Sequence, residues 1–389
     1  MKKYLLSFAV MLMGAALMTS CDDKDNNNSY LPVYVSNGAY VICSGNSYSN
    51  IDGSLTYFDY ATKYAAQHQF KAKNGRSLGQ TPNAAFVYGS KMYIVVTDAH
   101  TVEVVDAKTL TSIKQIKMPE LMGEEKGVFP RCIAASEGRI YVSTYGSSTA
   151  DWNTYTYSGN GYVAAIDTLD FSLKQTYKAG SFPEGLAISN GKIYVANSNY
   201  SFCMDASISV IDISTGVDTP IKDAQIVNPT NVAVAGNDIY VLDMGNYSDV
   251  KSGLRYISGY GSADMKVRSL FEATTACFYG SYIYSCNNTY GSSTKEFSAF
   301  NISTGNRIVY DSKLGDHFFY PNVISVDPVT GNIFIGSYNE DVSRPGNPNY
   351  SSDGFVVAYD SAGEKIGEFV CGVGPTAITF NVGIKYVEY

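Results

Sequence analysis

Charge is scarce in this chain. Asp, Glu, Lys and Arg make up 16% of its 389 residues, against roughly 25% in an ordinary soluble domain. Hydrophobic residues hold 45%, so uncharged polar residues have taken the place of the missing charge. That apolar content excludes a disordered chain. The formal charge is -8, or -10 once a leader bearing Lys2 and Lys3 is removed. A chain without a basic surface cannot neutralise phosphates, which excludes a nucleic-acid partner and disfavours anionic lipid headgroups. Only three His are present, with no Cys-x-x-Cys pair and no Gly-rich phosphate loop, so the common metal and nucleotide motifs are missing. Trp occurs once and Pro 12 times, whereas Gly reaches 35 and Tyr 33, about 8.5% of the chain. Tyr at that level fits strands rather than helices.

The first residues read as an address. Lys2 and Lys3 precede an apolar run over 4–17, too short to span a bilayer and of the length of a signal h-region. Met18-Thr19-Ser20-Cys21 follows and resembles the lipobox of bacterial lipoproteins, which implies a signal peptide over 1–20 and lipidation of Cys21. Residues 21–32 open with Asp22-Asp23-Lys24-Asp25 and three Asn and read as a flexible tether. An acidic run directly after the lipidated Cys resembles the surface-export signal of Bacteroidetes lipoproteins, which implies an outer-membrane protein exposed at the cell surface. No later segment reaches 18 apolar residues, so the lipid is the expected membrane anchor.

Residues 33–389 repeat one unit seven times. A turn followed by a strand recurs around Tyr40, Tyr93, Tyr141, Tyr194, Tyr240, Tyr284 and Phe334, at steps of 53, 48, 53, 46, 44 and 50 residues. A partner strand follows each copy, and a short apolar strand precedes every turn except the first. The missing strand stands at the far end, as Ala377-Ile378-Thr379-Phe380. Four short strands per unit, a period near 50 and a displaced end strand predict an all-β fold, a seven-bladed β-propeller whose C-terminal strand joins the first blade. The fifth unit breaks the pattern with Tyr256-Ile257-Ser258 where the others end in Asp or Asn, which predicts an irregular outer hairpin there.

Asn190 to Asn197, then Ser207 to Gly216 and a Pro-containing link, resemble the YncE-like surface-layer propellers over nearly the whole mature chain. Leader, repeat, length and Tyr/Asn-rich loops are similar to those lipidated Bacteroidetes propellers that capture vitamin B12. The resemblance implies a binding protein for cobalamin or a related corrinoid, delivering it to an outer-membrane TonB-dependent transporter. It matches no binding residue individually.

Propeller geometry sorts the connections between two faces. Turns such as Asn190-Gly191 and Ser214-Thr215-Gly216 are minimal, and Asp106, Asp167, Asp212 and Asp360 just before such turns read as turn caps. The other face receives long loops over 45–53, 145–162, 197–206, 243–253, 287–296 and 338–354, rich in Tyr, Asn, Ser and Gly; only the second blade, at 97–101, is short. Long loops on a rigid scaffold concentrate function, and this composition is that of binding surfaces. The candidate ligand contacts are Tyr48, Trp152, Tyr155, Tyr200, Phe202, Tyr247, Tyr290 and Tyr338 on the loops. Asn83, Arg131, Glu184 and Asn322 join them, each following a Pro at the mouth of the axis.

Catalysis and cofactors find little support. His100 and His317 belong to the looped face and His68 to an outer strand. His317 with Glu184 or Glu340 is the one acid-base arrangement open to a propeller lyase or lactonase. The loop acids Asp98, Asp151, Asp243, Asp249, Glu340 and Asp341 lack ligand spacing, although structural calcium stays open. The expectation is a binding protein without cofactor, with capture of a glycan or protein as the second reading. Of the seven Cys, Cys43, Cys132, Cys277 and Cys286 fall in strands as small core residues.

Overall fold

Alternating apolar residues in short strands can be buried on both sides only if sheets stack face to face. In the computed structural model, which describes residues 30–151, 153, 154, 156–198, 205–246, 248–289, 295–310 and 318–388, seven antiparallel sheets do so around an axis. The chain is a seven-bladed β-propeller. Blade 1 orders its strands Pro375–Glu388, Tyr30–Cys43, Ser54–Asp59 and Ala65–Ala66 from axis to rim. Blade 2 runs from Pro82–Tyr88 through Lys91–Val96 and Thr101–Asp106 to Ser112–Lys117. Blades 3 to 7 run outward in the same way from inner strands Pro130–Ser136, Pro183–Ser189, Pro229–Ala235, Thr275–Tyr279 and Tyr320–Val326, with four strands in each except blade 4, which has three.

Each blade joint has its own hydrophobic cluster, because successive side chains of a strand point to opposite neighbours. Tyr40 and Ile42 of blade 1 pack on Met92, Ile94 and Val96 of blade 2, while Ala39 and Val41 pack on Phe334 and Val356 of blade 7. Six joints bury nine to twelve residues each. The joint between blades 5 and 6 buries four, Tyr240, Leu254, Ile283 and Phe300, and is the weakest seam of the ring. It is also the joint whose entering link lacks Pro. At three other joints the Pro wedges against a glycine at the start of the preceding blade's third strand: a Cβ on Gly53 would stand 2.1 Å from Pro82 Cδ, one on Gly161 2.1 Å from Pro183 Cδ, and one on Gly354 2.9 Å from Pro375 Cδ.

Two expectations about the rim change. Blade 5 is a regular four-stranded sheet that includes Gly253–Ser258 and Lys266–Phe271. The irregular rim belongs to blade 4, which has three strands and meets its outer segment through the isolated bridges Ile208–Ile221 and Ile211–Asp218. There Asp218 turns inward, accepting from the Ser209 hydroxyl at 2.7 Å and the Val210 N–H at 2.9 Å, which replaces ladder pairing by side-chain bonds. His68 does not sit in a strand: it precedes the short helix Gln69–Asn74 in the link to blade 2, with φ 55°. The first strand begins at Tyr30, inside the stretch read as tether.

The turns behave as their sequences require. Asn190 and Gly191 both have positive φ, 50° and 69°, the requirement of a tight primed hairpin. Asp106 Oδ1 accepts from the Thr109 N–H at 2.8 Å and Asp212 Oδ1 from the Thr215 N–H at 2.9 Å. Asp167 and Asp360 cap their turns in the same way, and Asn301 does so in blade 6.

These caps set an acid limit on stability. The Ser214 hydroxyl and Thr215 N–H lower the Asp212 carboxyl to about 2. Turn N–H groups also lower Asp106 and Asp167. A carboxylate depressed in the folded state contributes stability above its unfolded value of about 3.9 and loses it as pH falls through the folded value. We expect the melting temperature to fall between about pH 4 and pH 2. The triple variant Asp106→Asn, Asp167→Asn, Asp212→Asn, which keeps the caps as Asn301 does, should flatten that fall and leave the neutral-pH melt nearly unchanged. An equal acid fall in the variant would contradict the assignment.

Candidate functional site

The looped face surrounds the mouth of the axis, and the links entering the inner strands build its floor. Thr81, Phe129, Phe182 and Gly374, each just before the Pro of an inner strand, have φ of 58°, 52°, 50° and 68°. This left-handed turn is unusual for bulky residues. It re-aims the carbonyl, so that Thr81, Phe129, Phe182 and Gly374 accept from the N–H groups of Thr97, Tyr145, Ser198 and Ser44 at 2.7–3.1 Å. The same turn places two aromatic rings, Phe129 and Phe182, at the mouth.

The residues after these prolines tie the ring together. Asn322 of blade 7 donates to the Pro375 carbonyl of blade 1, and Thr376 of blade 1 donates to the Pro82 carbonyl of blade 2 at 3.1 Å. Asn83 of blade 2 donates to the Arg131 carbonyl of blade 3 at 3.0 Å. Arg131 Nε then donates to Glu184 Oε2 of blade 4 at 3.0 Å. The sequence expectation placed Asn83, Arg131, Glu184 and Asn322 at the axis mouth, and they stand there, with the side chains of Asn83, Arg131 and Asn322 donating to the next blade and Glu184 accepting from the one before.

Arg131 and Glu184 form the charged centre of the face. The Tyr145 hydroxyl donates to the second carboxylate oxygen of Glu184, the Arg131 guanidinium lies 5.0 Å from the Tyr145 ring centroid, and Phe182 meets that ring edge-on at 5.1 Å. Burial opposes the charge on Arg131, but Glu184 and Tyr145 outweigh it and raise its pKa. Burial pushes the neighbouring Cys132 thiol up to about 12, so it is not a nucleophile at neutral pH. Beside this centre, the Phe129 N–H donates to His100 Nδ1 at 3.0 Å, and the two rings meet at right angles, 4.6 Å apart. His100 therefore reaches the looped face as expected, held by its Nδ1.

Blade 7, across the axis from the joint of blades 3 and 4, is aromatic instead. Tyr338 packs 5.0 Å from Tyr350 and 6.2 Å from Tyr320 between ring centroids, and burial raises its hydroxyl to about 12. The loop of blade 1 leans on this cluster: Asn46 donates to the Tyr350 carbonyl at 2.8 Å and also caps the single turn Ser47–Ser49. That turn holds Tyr48 fully exposed. Above blade 3 stands a two-stranded hairpin, Thr149–Asp151 with Thr156–Ser158. Trp152, Tyr155, Tyr200, Phe202, Tyr247 and Tyr290, and also His317 and Cys21, lie outside the described residues.

The loop acids take separate structural tasks. Asp243 is buried and accepts from the N–H groups of Val227, Asn228 and Gly245 at 2.8–3.1 Å, and Asp341 pairs with Arg344 at 2.7 Å. Among the described residues no three His, Cys, Asp or Glu converge as a metal site. Tyr145, Phe129 and Phe182 had not been singled out from sequence. Aligning the repeats on the residue before each Pro, and on the first residue past each second strand, would have marked them.

No family model matches the chain, and no curated protein matches it. Solved structures do. A hypothetical selenium-binding protein from Sulfolobus tokodaii has a TM-score of 0.63 at 11% identity over 90% of this chain and 93% of its own. A putative 6-phosphogluconolactonase from Bacteroides uniformis has 0.58 at 12% over 88% and 99%. The likeness is one of fold alone.

If Arg131 and Glu184 are first a structural pair, Arg131→Ala should cost about 3 kcal/mol, the scale for stranding one partner of a shielded ion pair. The double variant Arg131→Met, Glu184→Leu should recover most of it in denaturant melts. A double variant as unstable as the single one would contradict that reading.

Proposed function

We propose that the looped face captures a large, mostly neutral, amphipathic ligand, namely cobalamin or a related corrinoid. In this reading the protein is lipid-anchored at Cys21 on the cell surface and passes its ligand to an outer-membrane TonB-dependent transporter. The observation that carries the proposal is the division of the face. The charged centre of Arg131, Glu184 and Tyr145 is already neutralised within itself, while Tyr48, Tyr320, Tyr338 and Tyr350 offer aromatic surface across the axis. A ligand resting there meets amide and hydroxyl partners around a rim and flat aromatic contacts on one side. A corrinoid has that distribution, with amides at its periphery and a flat ring face. The scarcity of unpaired charge on the floor favours it over an ionic ligand. The leader and repeat, similar to those of the B12-capturing surface propellers, support the same reading.

Calorimetry with cyanocobalamin tests the proposal. Micromolar or tighter binding, about -8 kcal/mol or better, is expected, together with a thermal shift that grows with ligand concentration. No heat and no shift at micromolar ligand would sink it. Binding on a glycan array instead, lost with Trp152→Ala, would move the face to the glycan reading.

A further inference from the structure

The strands that close the ring continue past it. Residues 30–36 pair with 382–388, and beyond Ser36–Val382, which still touches blade 7, the pairing continues clear of the blades from Val35–Gly383 out to Tyr30–Glu388. The second strand of a blade runs toward the looped face, and the inner strand runs away from it. This two-stranded arm therefore leaves from the opposite face and reaches about 20 Å beyond it. Its base is fastened by the Ser36 hydroxyl to Asp327 Oδ1 at 2.7 Å and by Asn37 to the Asn381 carbonyl at 3.4 Å.

The arm is apolar on both sides. Cross-strand partners share a face, so Tyr30, Tyr386 and Ile384 lie on one side and Leu31, Val387 and Val33 on the other, and all six are exposed, Tyr386 at 66%. Its charged residues are Lys385 and Glu388, which cancel. Exposed apolar surface of this extent marks an interaction site. The position of the tether says with what. Nine peptide steps separate Cys21 from Tyr30, at most about 30 Å when extended, and they end on the tip of the arm.

We propose that the arm rests in the headgroup layer of the membrane beside the lipidated Cys21, and so turns the looped face outward. This rests on the lipid-anchor reading of Cys21. Among the described residues the outer edges of the arm pair with no other strand, and unpaired backbone groups are not tolerated in hydrocarbon. The arm therefore stops at the interface, where water and headgroups satisfy those edges while its side chains meet the acyl boundary. Its zero net charge suits a zwitterionic surface.

The test places one reporter on the arm, Tyr386→Trp in a Trp152→Phe background of the mature chain. One sample is attached to phosphatidylcholine vesicles through lipidated Cys21. A second is attached through a hexahistidine tag at that position on a nickel-chelating lipid. The expected result is a blue-shifted emission, quenched by lipids brominated near the headgroup and not by lipids brominated at the chain end. Leu31→Lys with Val33→Lys should abolish the quenching and leave the melting temperature unchanged, because the arm lies outside the blades. Unquenched, water-like emission in both samples would overturn the proposal. So would a concentration-dependent dimer, abolished by the same lysines, with the arm unquenched on vesicles. Quenching in the tagged sample alone, with no palmitate incorporated at Cys21, would uphold the arm and remove the lipid anchor.

Discussion

The ring is closed by a strand taken from the far end of the chain. Residues 39–43 are paired on both edges, by 375–380 on the axis side and by 54–58 on the rim side, so the amides of this segment are committed to the sheet. Asp327 of blade 7 adds a second fastening, accepting from Ser36 and, at 2.8 Å, from the Tyr60 hydroxyl. Between them, Ala39, Val41 and Phe380 pack with Phe334 of blade 7 in a buried cluster. If this clasp opened, blades 1 and 7 would each expose one whole face. Burial of both faces of every blade is the condition on which the fold stands.

Closure also decides what each face can be. Tight turns capped by Asp or Asn leave the lower face little to offer except the arm. The upper face gathers the loops, the left-handed aromatic residues before the prolines, and the belt of side-chain bonds from Asn322 through Asn83 to Glu184. Among the described residues that belt runs from blade 7 through blades 1, 2 and 3 to blade 4 and is not continued through blades 5 and 6, between which the buried cluster is smallest and no Pro wedge is present. Local opening starts where buried contacts are fewest, so the ring is stiffest around the charged centre and softest on the side away from it.

Most of the fold was legible because it repeats. A Tyr-centred strand returning every 44–53 residues and an orphan strand at 377–380 leave a closed ring as the consistent arrangement. Departures within single units misled: Ser258 in the fifth unit pointed to its rim, whereas the structure keeps that rim regular and places the weakness in the neighbouring joint. The site was half legible. Asn83, Arg131, Glu184 and Asn322 could be placed from the Pro before them, but their bonding could not, since each reaches a residue about 50 positions away. Phe129 and Phe182 carry no sequence mark beyond their place before Pro, because a positive φ in a bulky residue is imposed by the ladder it must extend. The arm was hidden for a different reason: 30–32 read as part of the tether and 382–388 carried no repeat signal, so neither pointed to the pairing that extends the clasp beyond the blades.

Native-state hydrogen exchange tests the clasp most directly. If closure is what the rest depends on, the amides of Ala39 to Cys43 and of Ala377 to Phe380 will exchange only through global unfolding, with the same free energy as the denaturant melt. Exchange of these amides by a cheaper local opening, while the second strands of blades 2 and 3 stay protected, would contradict the account.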